Sequence, residues 1–107
     1  MQPRILFVCL GNICRSPMAE AALRARAVEA GIALTIDSAG TGDWHVGNPP
    51  DPRAQAEALR HGIDISAYRA RQVREDDFRT FDFIYALDPH NLRDLQSLAP
   101  RRPLARL

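Results

Sequence analysis

Cysteine is scarce in this sequence: Cys9 and Cys14 are the only two among 107 residues, and they stand close together near the start. A secreted domain stapled by disulfides needs more cysteines, spread along the chain. Long apolar runs are also missing. The first one, 5–10, stops at Gly11-Asn12. It is too short for a signal peptide with its cleavage site, and far short of the roughly 20 apolar residues that span a bilayer. A cytoplasmic, reducing setting is therefore expected, with both cysteines as free thiols. An excess of charge of one sign is lacking as well. The 14 basic and 13 acidic side chains leave a net charge of +1. No broad field points to nucleic acid or a membrane surface, and Arg101-Arg102 is too short to make a basic patch. There is no internal repeat, linker or low-complexity tract. His45, His61 and His90 lack the paired spacing of a metal site, so neither a metal nor a cofactor is expected.

What is present is the composition of one ordinary globular domain over 1–107, with 46% apolar and 25% charged residues. Gly and Pro punctuate it. Residues 5–8, Ile-Leu-Phe-Val, read as a buried parallel strand. Ser16-Pro17 predicts a helix start with Ser as N-cap and Pro at the first helical position. Met18, Ala21, Ala22, Ala25 and Val28 supply its apolar face, Glu20 and Arg24 pair on its outer face, and Gly31 closes it. Residues 34–39 predict a second strand, and a Pro-rich loop runs on to Pro50. Asp51-Pro52 opens a second helix that Gly62 stops, and 63–72 is irregular. Glu75-Asp76-Asp77 predicts the solvated start of a short helix. Residues 81–87 predict a third strand with Tyr85 in the core. Asp88-Pro89 opens a helix with Leu92, Leu95 and Leu98 on one face, and 103–107 begins a fourth strand. Strands alternating with helices predict an α/β fold in three layers, a parallel sheet with helices on both faces. Ligands of such sheets bind beyond the carboxyl ends of the strands, where Cys9 stands.

The segment Cys9-Leu10-Gly11-Asn12-Ile13-Cys14-Arg15-Ser16 spaces a Cys, five residues, then Arg and Ser. A turn entering a helix aims backbone N–H groups at one point, and the helix dipole adds positive potential, so the loop predicts an anion cradle. Gly11 and Asn12 are residue types that readily take positive φ. Arg15 offers two parallel charge-assisted bonds to a tetrahedral oxyanion. The same field favours a Cys9 thiolate, and a thiolate beneath a phosphate is an in-line nucleophile. Ser16 donates a hydrogen bond to that sulfur and helps it leave in a second step.

The run from Val8 to Glu20 resembles the signature of the low-molecular-weight protein tyrosine phosphatases. The likeness continues in Asp37-Ser38-Ala39-Gly40-Thr41, Trp44-His45-Val46-Gly47, Asp51-Pro52-Arg53-Ala54, His61-Gly62-Ile63 and Ala70-Arg71-Gln72. It extends through Phe81-Asp82 and Asp88 to Asn91-Leu92, and so covers almost the whole chain. The resemblance implies a cysteine-dependent phosphomonoesterase without a metal, acting on protein phosphotyrosine and small aryl phosphates and binding phosphate, sulfate or vanadate. It makes Cys9 the nucleophile, Arg15 the phosphate ligand, Asn12 the brace of the loop and Ser16 the helper of the sulfur. Leu10, Gly11, Ile13 and Cys14 complete the substrate-binding loop, and Trp44 is an aromatic wall of the pocket. It also suggests a reversible Cys9–Cys14 disulfide that protects the nucleophile. Asp88, at the end of the third strand, is a candidate partner for the loop.

One departure counts against a simple transfer. The family's general acid lies in an Asp-Pro-aromatic loop beyond a fourth strand, and no such motif occurs in 1–107. Asp51-Pro52 and Asp88-Pro89 read as helix starts, so no general acid is assigned. The expectation is a C-terminally truncated phosphatase domain, with the fourth strand and a C-terminal covering helix incomplete. Two further readings stand beside it. A thiol-dependent arsenate reductase shares the loop but passes oxidation to later cysteines, and none follows Cys14. A phosphate-binding remnant without catalysis is the other.

Overall fold

The computed structural model describes residues 2–100. The strand expected over 103–107 lies outside them. Elements alternate in the order β1 (Arg4–Cys9), α1 (Arg15–Ala30), β2 (Thr35–Gly40), α2 (Pro52–Arg60), α3 (Asp77–Thr80), β3 (Phe83–Ala86) and α4 (Pro89–Leu98). The three strands form one parallel sheet in the order β2-β1-β3. β1 is the central strand, and its Leu6, Val8 and Cys9 are buried, as expected for an apolar strand paired on both edges.

The register sorts the side chains into two faces. Leu6 aligns with Asp37 and Ile84, and Val8 with Ala39 and Ala86. Leu6, Val8, Ala39 and Ile84 have no solvent exposure and form a core with Val73, Phe78 of α3, Phe81 and Leu95 of α4. On the opposite face Phe7 aligns with Ser38 and Tyr85. There α1 lies over β1 and β2, and α2 packs on α1 through Ala21, Ala54, Ala58 and Ile65.

The helix ends follow local chemistry. Gly31 closes α1 at φ 67°, a conformation that costs glycine least. Asp51 and Asp88 cap α2 and α4, each accepting from a backbone N–H in the first turn, with proline at the first helical position of both.

Several expectations are corrected. Ser16 does not cap α1. The N-cap is Cys14, which makes no side-chain capping bond, and Ser16 is fully buried one position inside the helix. The buried stripe of α1 is Ser16, Pro17, Glu20, Ala21 and Ala27, and Val28 is 81% exposed. Glu20 and Arg24 do pair, at 2.9 Å, but Glu20 is buried between α1 and β2, where Ser38 also binds it. Asp77 is buried too, because Arg71 and the Arg74 N–H satisfy it. Tyr85 is 48% exposed and stacks in a row with Phe7 and Phe83. Of the α4 leucines, Leu95 is fully buried and Leu98 is exposed.

The end of β2 touches the turn that leaves β1. A Cβ on Gly40 would lie 2.7 Å from the Leu10 carbonyl oxygen and 3.1 Å from the Asn12 nitrogen. Both neighbours are backbone, so neither gives way cheaply. Gly40→Ala is therefore expected to cost about 1–3 kcal/mol by overpacking, read as a lower urea midpoint with an unchanged slope.

Candidate active site

β1 delivers Cys9 to its carboxyl end, and the loop 10–14 turns the chain into α1. The Cys9 side chain is buried. Its sulfur lies 3.0 Å from the Ser16 hydroxyl and accepts the Asn12 backbone N–H at 3.3 Å. Among the described residues, the N–H groups of Gly11, Ile13, Cys14 and Arg15 donate to no protein acceptor. They stand at the N-terminal end of α1, where the helix dipole favours an anion.

Asn12 holds this turn together. Its φ is 57°, left-handed, a conformation that Asn adopts more readily than most residues. Its amide is fully used: Nδ2 donates to Ser16 Oγ at 2.8 Å and to Ser38 Oγ at 3.0 Å, and Oδ1 accepts the Arg71 N–H at 2.9 Å. Gly11, in contrast, is not in a positive-φ conformation. Its missing side chain instead makes room for His45, since a Cβ there would sit 3.0 Å from the His45 ring.

Behind Asn12 the network continues. The Ser38 hydroxyl donates to Glu20 Oε1 at 2.7 Å. Burial pushes the Glu20 carboxyl above its usual range, against the opposing pull of Ser38 and Arg24. The Arg71 carbonyl accepts the Gly40 N–H at 2.8 Å. Its guanidinium bridges Asp37 at 3.1 Å and Asp77 at 2.9 Å. Burial opposes the Arg71 charge, but the two carboxylates outweigh it and raise the group further.

Arg15 enters from the first turn of α1 and is half exposed, with one guanidinium nitrogen 3.0 Å from Asp88 Oδ2. The Asn91 backbone N–H binds the other Asp88 oxygen at 2.7 Å. That N–H is the largest influence on the Asp88 carboxyl; desolvation opposes it, Arg15 adds to it, and together they hold the group below its ordinary value. Asp88 is thus a carboxylate at neutral pH and only accepts hydrogen bonds.

The structure therefore brings Cys9, Asn12, Arg15 and Ser16 into one loop, with Leu10 and Cys14 exposed and Gly11 and Ile13 half-buried along it. Cys14 and Cys9 are both free thiols. Trp44 is 69% exposed, and its ring lies against Gly42 beside Leu10. Sequence reasoning assigned no role to Ser38, Gly40 or Arg71, although all three lie in segments that carried the resemblance. Their functions depend on contacts across 26 to 59 residues, which no local pattern announces.

A family profile described as low molecular weight phosphotyrosine protein phosphatase matches residues 4–104. The chain belongs to that family. It is 48% identical over 107 residues to the low molecular weight phosphotyrosine protein phosphatase of Schizosaccharomyces pombe, covering 97% of this chain and 68% of that protein. The crystal structure of Primo-1 superposes with a TM-score of 0.95 at 42% identity, covering 98% of this chain and 69% of that one. Wzb of Vibrio vulnificus, solved in complex with benzylphosphonate, superposes with a TM-score of 0.83 at 27% identity, covering 94% of this chain and 68% of that one. This family member spans 58–68% of the length of the first curated relatives it matches.

The Arg15–Asp88 pair generates a test. Asn caps helices about as well as Asp, so Asp88→Asn should keep α4 and move the melting temperature little. Losing the anion releases Arg15, and phosphate affinity should change several-fold in calorimetry. The pH dependence has a fixed sign. A carboxyl lowered in the folded state contributes stability above its unfolded value and loses it as pH falls through the folded one. Asp88→Asn should therefore flatten the acid limb of the stability profile.

Proposed function

We propose that this domain hydrolyses phosphate monoesters, protein phosphotyrosine and small aryl phosphates foremost, through a phosphocysteine formed on Cys9. The observation that carries the reading is the buried Cys9 sulfur, fixed by Ser16 and the Asn12 amide at the mouth of a loop whose N–H groups at Gly11, Ile13, Cys14 and Arg15 have no acceptor among the described residues, with an arginine beside it. The tetrahedral phosphate oxygens take the loop amides and the Arg15 fork, which also stabilise the charge that grows on them during transfer. The Cys9 thiolate attacks phosphorus in line, the phosphorus–oxygen ester bond breaks, and the alkoxide or phenolate leaves. Water then attacks the thiophosphate, and the sulfur departs as a thiolate that the Ser16 hydroxyl stabilises. Asn12 donates to Ser16 Oγ, which leaves the Ser16 proton two acceptors, the Cys9 sulfur at 3.0 Å and the Ala39 carbonyl at 3.5 Å, of which the sulfur is the nearer.

The proton for a poor leaving group does not come from Asp88, which is held ionised against Arg15 and the Asn91 N–H. Nitrophenyl phosphate, whose leaving group is a stable anion, is therefore the substrate of choice for the first assay. A phosphotyrosine reading is favoured over arsenate reduction because the family profile that matches residues 4–104 is that of phosphotyrosine protein phosphatases.

Two substitutions test the mechanism. Cys9→Ser should abolish nitrophenyl phosphate turnover while vanadate or phosphate still binds, and comparable turnover in that variant would exclude the phosphocysteine. Arg15→Lys keeps the charge but not the planar fork. It should lower kcat/KM by an amount comparable to the loss of an oxyanion donor, about 2.7–4 kcal/mol. Near-normal kcat/KM would exclude bidentate recognition.

A further inference from the structure

Beside the cradle, and sharing Leu10 with it, lies a groove between the 41–44 turn and α4. It is lined by Leu10, Thr41, Gly42 and Trp44 and, from α4, by His90, Asp94, Ser97 and Leu98. Three large apolar side chains are exposed along it: Leu10 at 44%, Trp44 at 69% and Leu98 at 49%. The turn side of the groove is built into the site. The Thr41 N–H bonds the Cys9 carbonyl and the Gly42 N–H bonds the Leu10 carbonyl, both at 2.9 Å. The groove and the nucleophile are thus parts of one rigid backbone unit. His90, Asp94 and Leu98 are spaced four apart, so they form a single stripe along α4. At about 1.5 Å of rise per residue that stripe runs roughly 12 Å. An extended peptide covers this length with about four residues.

We propose that this groove is the docking site for the polypeptide that flanks the phosphotyrosine, and that it selects an apolar side chain within about four residues of the phosphorylated one. The inference rests on the phosphatase reading and adds to it a source of sequence preference. Leu10 directly follows Cys9, Trp44 lies against Gly42 in the same lining, and Leu98 lies at the distal end of α4. A leucine or methionine of the substrate would bury itself against Leu98 and the Trp44 ring. A glycine or serine there has nothing to bury. A substrate without a polypeptide, such as nitrophenyl phosphate, does not reach Leu98 at all. Discrimination should therefore show in peptide affinity and leave the cradle's affinity for phosphate untouched.

The test uses binding, which needs no proton for a leaving group. Trp44 is the single tryptophan of the chain and reports the groove by its fluorescence. The Cys9→Ser chain is titrated with inorganic phosphate, with blocked phosphotyrosine, and with two phosphotyrosine peptides that differ only in carrying leucine or glycine at the flanking positions. The leucine peptide should bind about tenfold tighter than the glycine peptide, the scale of one buried aliphatic side chain in a half-open site. Leu98→Ser, at an exposed position in the last turn of α4, should erase that difference and leave phosphate and phosphotyrosine affinity unchanged. Equal affinity for the two peptides on the parent chain would overturn the groove proposal, and that comparison needs no groove variant. A preference that survives Leu98→Ser would overturn it as well. Failure of phosphate and phosphotyrosine themselves to bind would overturn the phosphatase reading, and this proposal with it.

Discussion

The Asn12 side chain is the constraint on which the site depends. It sits at a left-handed backbone position, and its amide spends every hydrogen-bonding group on a different neighbour: Ser16 in α1, Ser38 in β2 and the Arg71 backbone. Those three bonds fix the turn after β1 in one shape. In that shape the Asn12 N–H reaches the Cys9 sulfur, and the Ser16 hydroxyl is oriented toward it. An amide buried without partners would cost about 1–3 kcal/mol, so the loop takes this shape at least cost when the sheet and the 70–73 segment are in place. Gly40 permits the arrangement by leaving space for the turn, and Arg71 is itself held between Asp37 and Asp77.

The electrostatic layout separates two jobs. Positive potential gathers where the substrate phosphate is expected, from the loop amides, the end of α1 and Arg15. The carboxylates are kept where they position other groups. Asp88 steers Arg15, Asp37 and Asp77 grip Arg71, and Glu20 accepts a hydrogen bond from the Ser38 hydroxyl at the back of the loop. The buried acids and arginine neutralise one another locally, so the loop keeps its preference for an anion although the chain as a whole carries a net charge of only +1.

Much of this was legible in the sequence. The alternation of strand and helix, the proline-started helices α2 and α4, the Gly31 stop and the position of Cys9 at the end of β1 all follow from local pattern. What was not legible depends on partners distant in sequence. Ser16 beside Pro17 has the form of an N-cap, and only the approach of Cys9 and Asn12 turns it inward. Glu20 and Asp77 have the composition of solvated positions, and only Ser38 and Arg71 make their burial tolerable. Tyr85 lies in an apolar run, but on β3, an outer strand among the described residues, it is half exposed and stacks only on Phe7 and Phe83. Gly11 was expected to supply a positive φ, and instead makes room for a histidine from a distant loop.

The claim at the centre of this account is covalent: the phosphoryl group passes through the Cys9 sulfur. Acid-quenching the chain during turnover of nitrophenyl phosphate and mapping its peptides by mass spectrometry tests it most directly. The account predicts one phosphoryl group, carried by the peptide that holds Cys9 and located on that sulfur, absent when substrate is omitted. Turnover at the same rate with no phosphorylated Cys9 peptide at any quench time, or with the phosphoryl group on Cys14 or Ser16 instead, would contradict it.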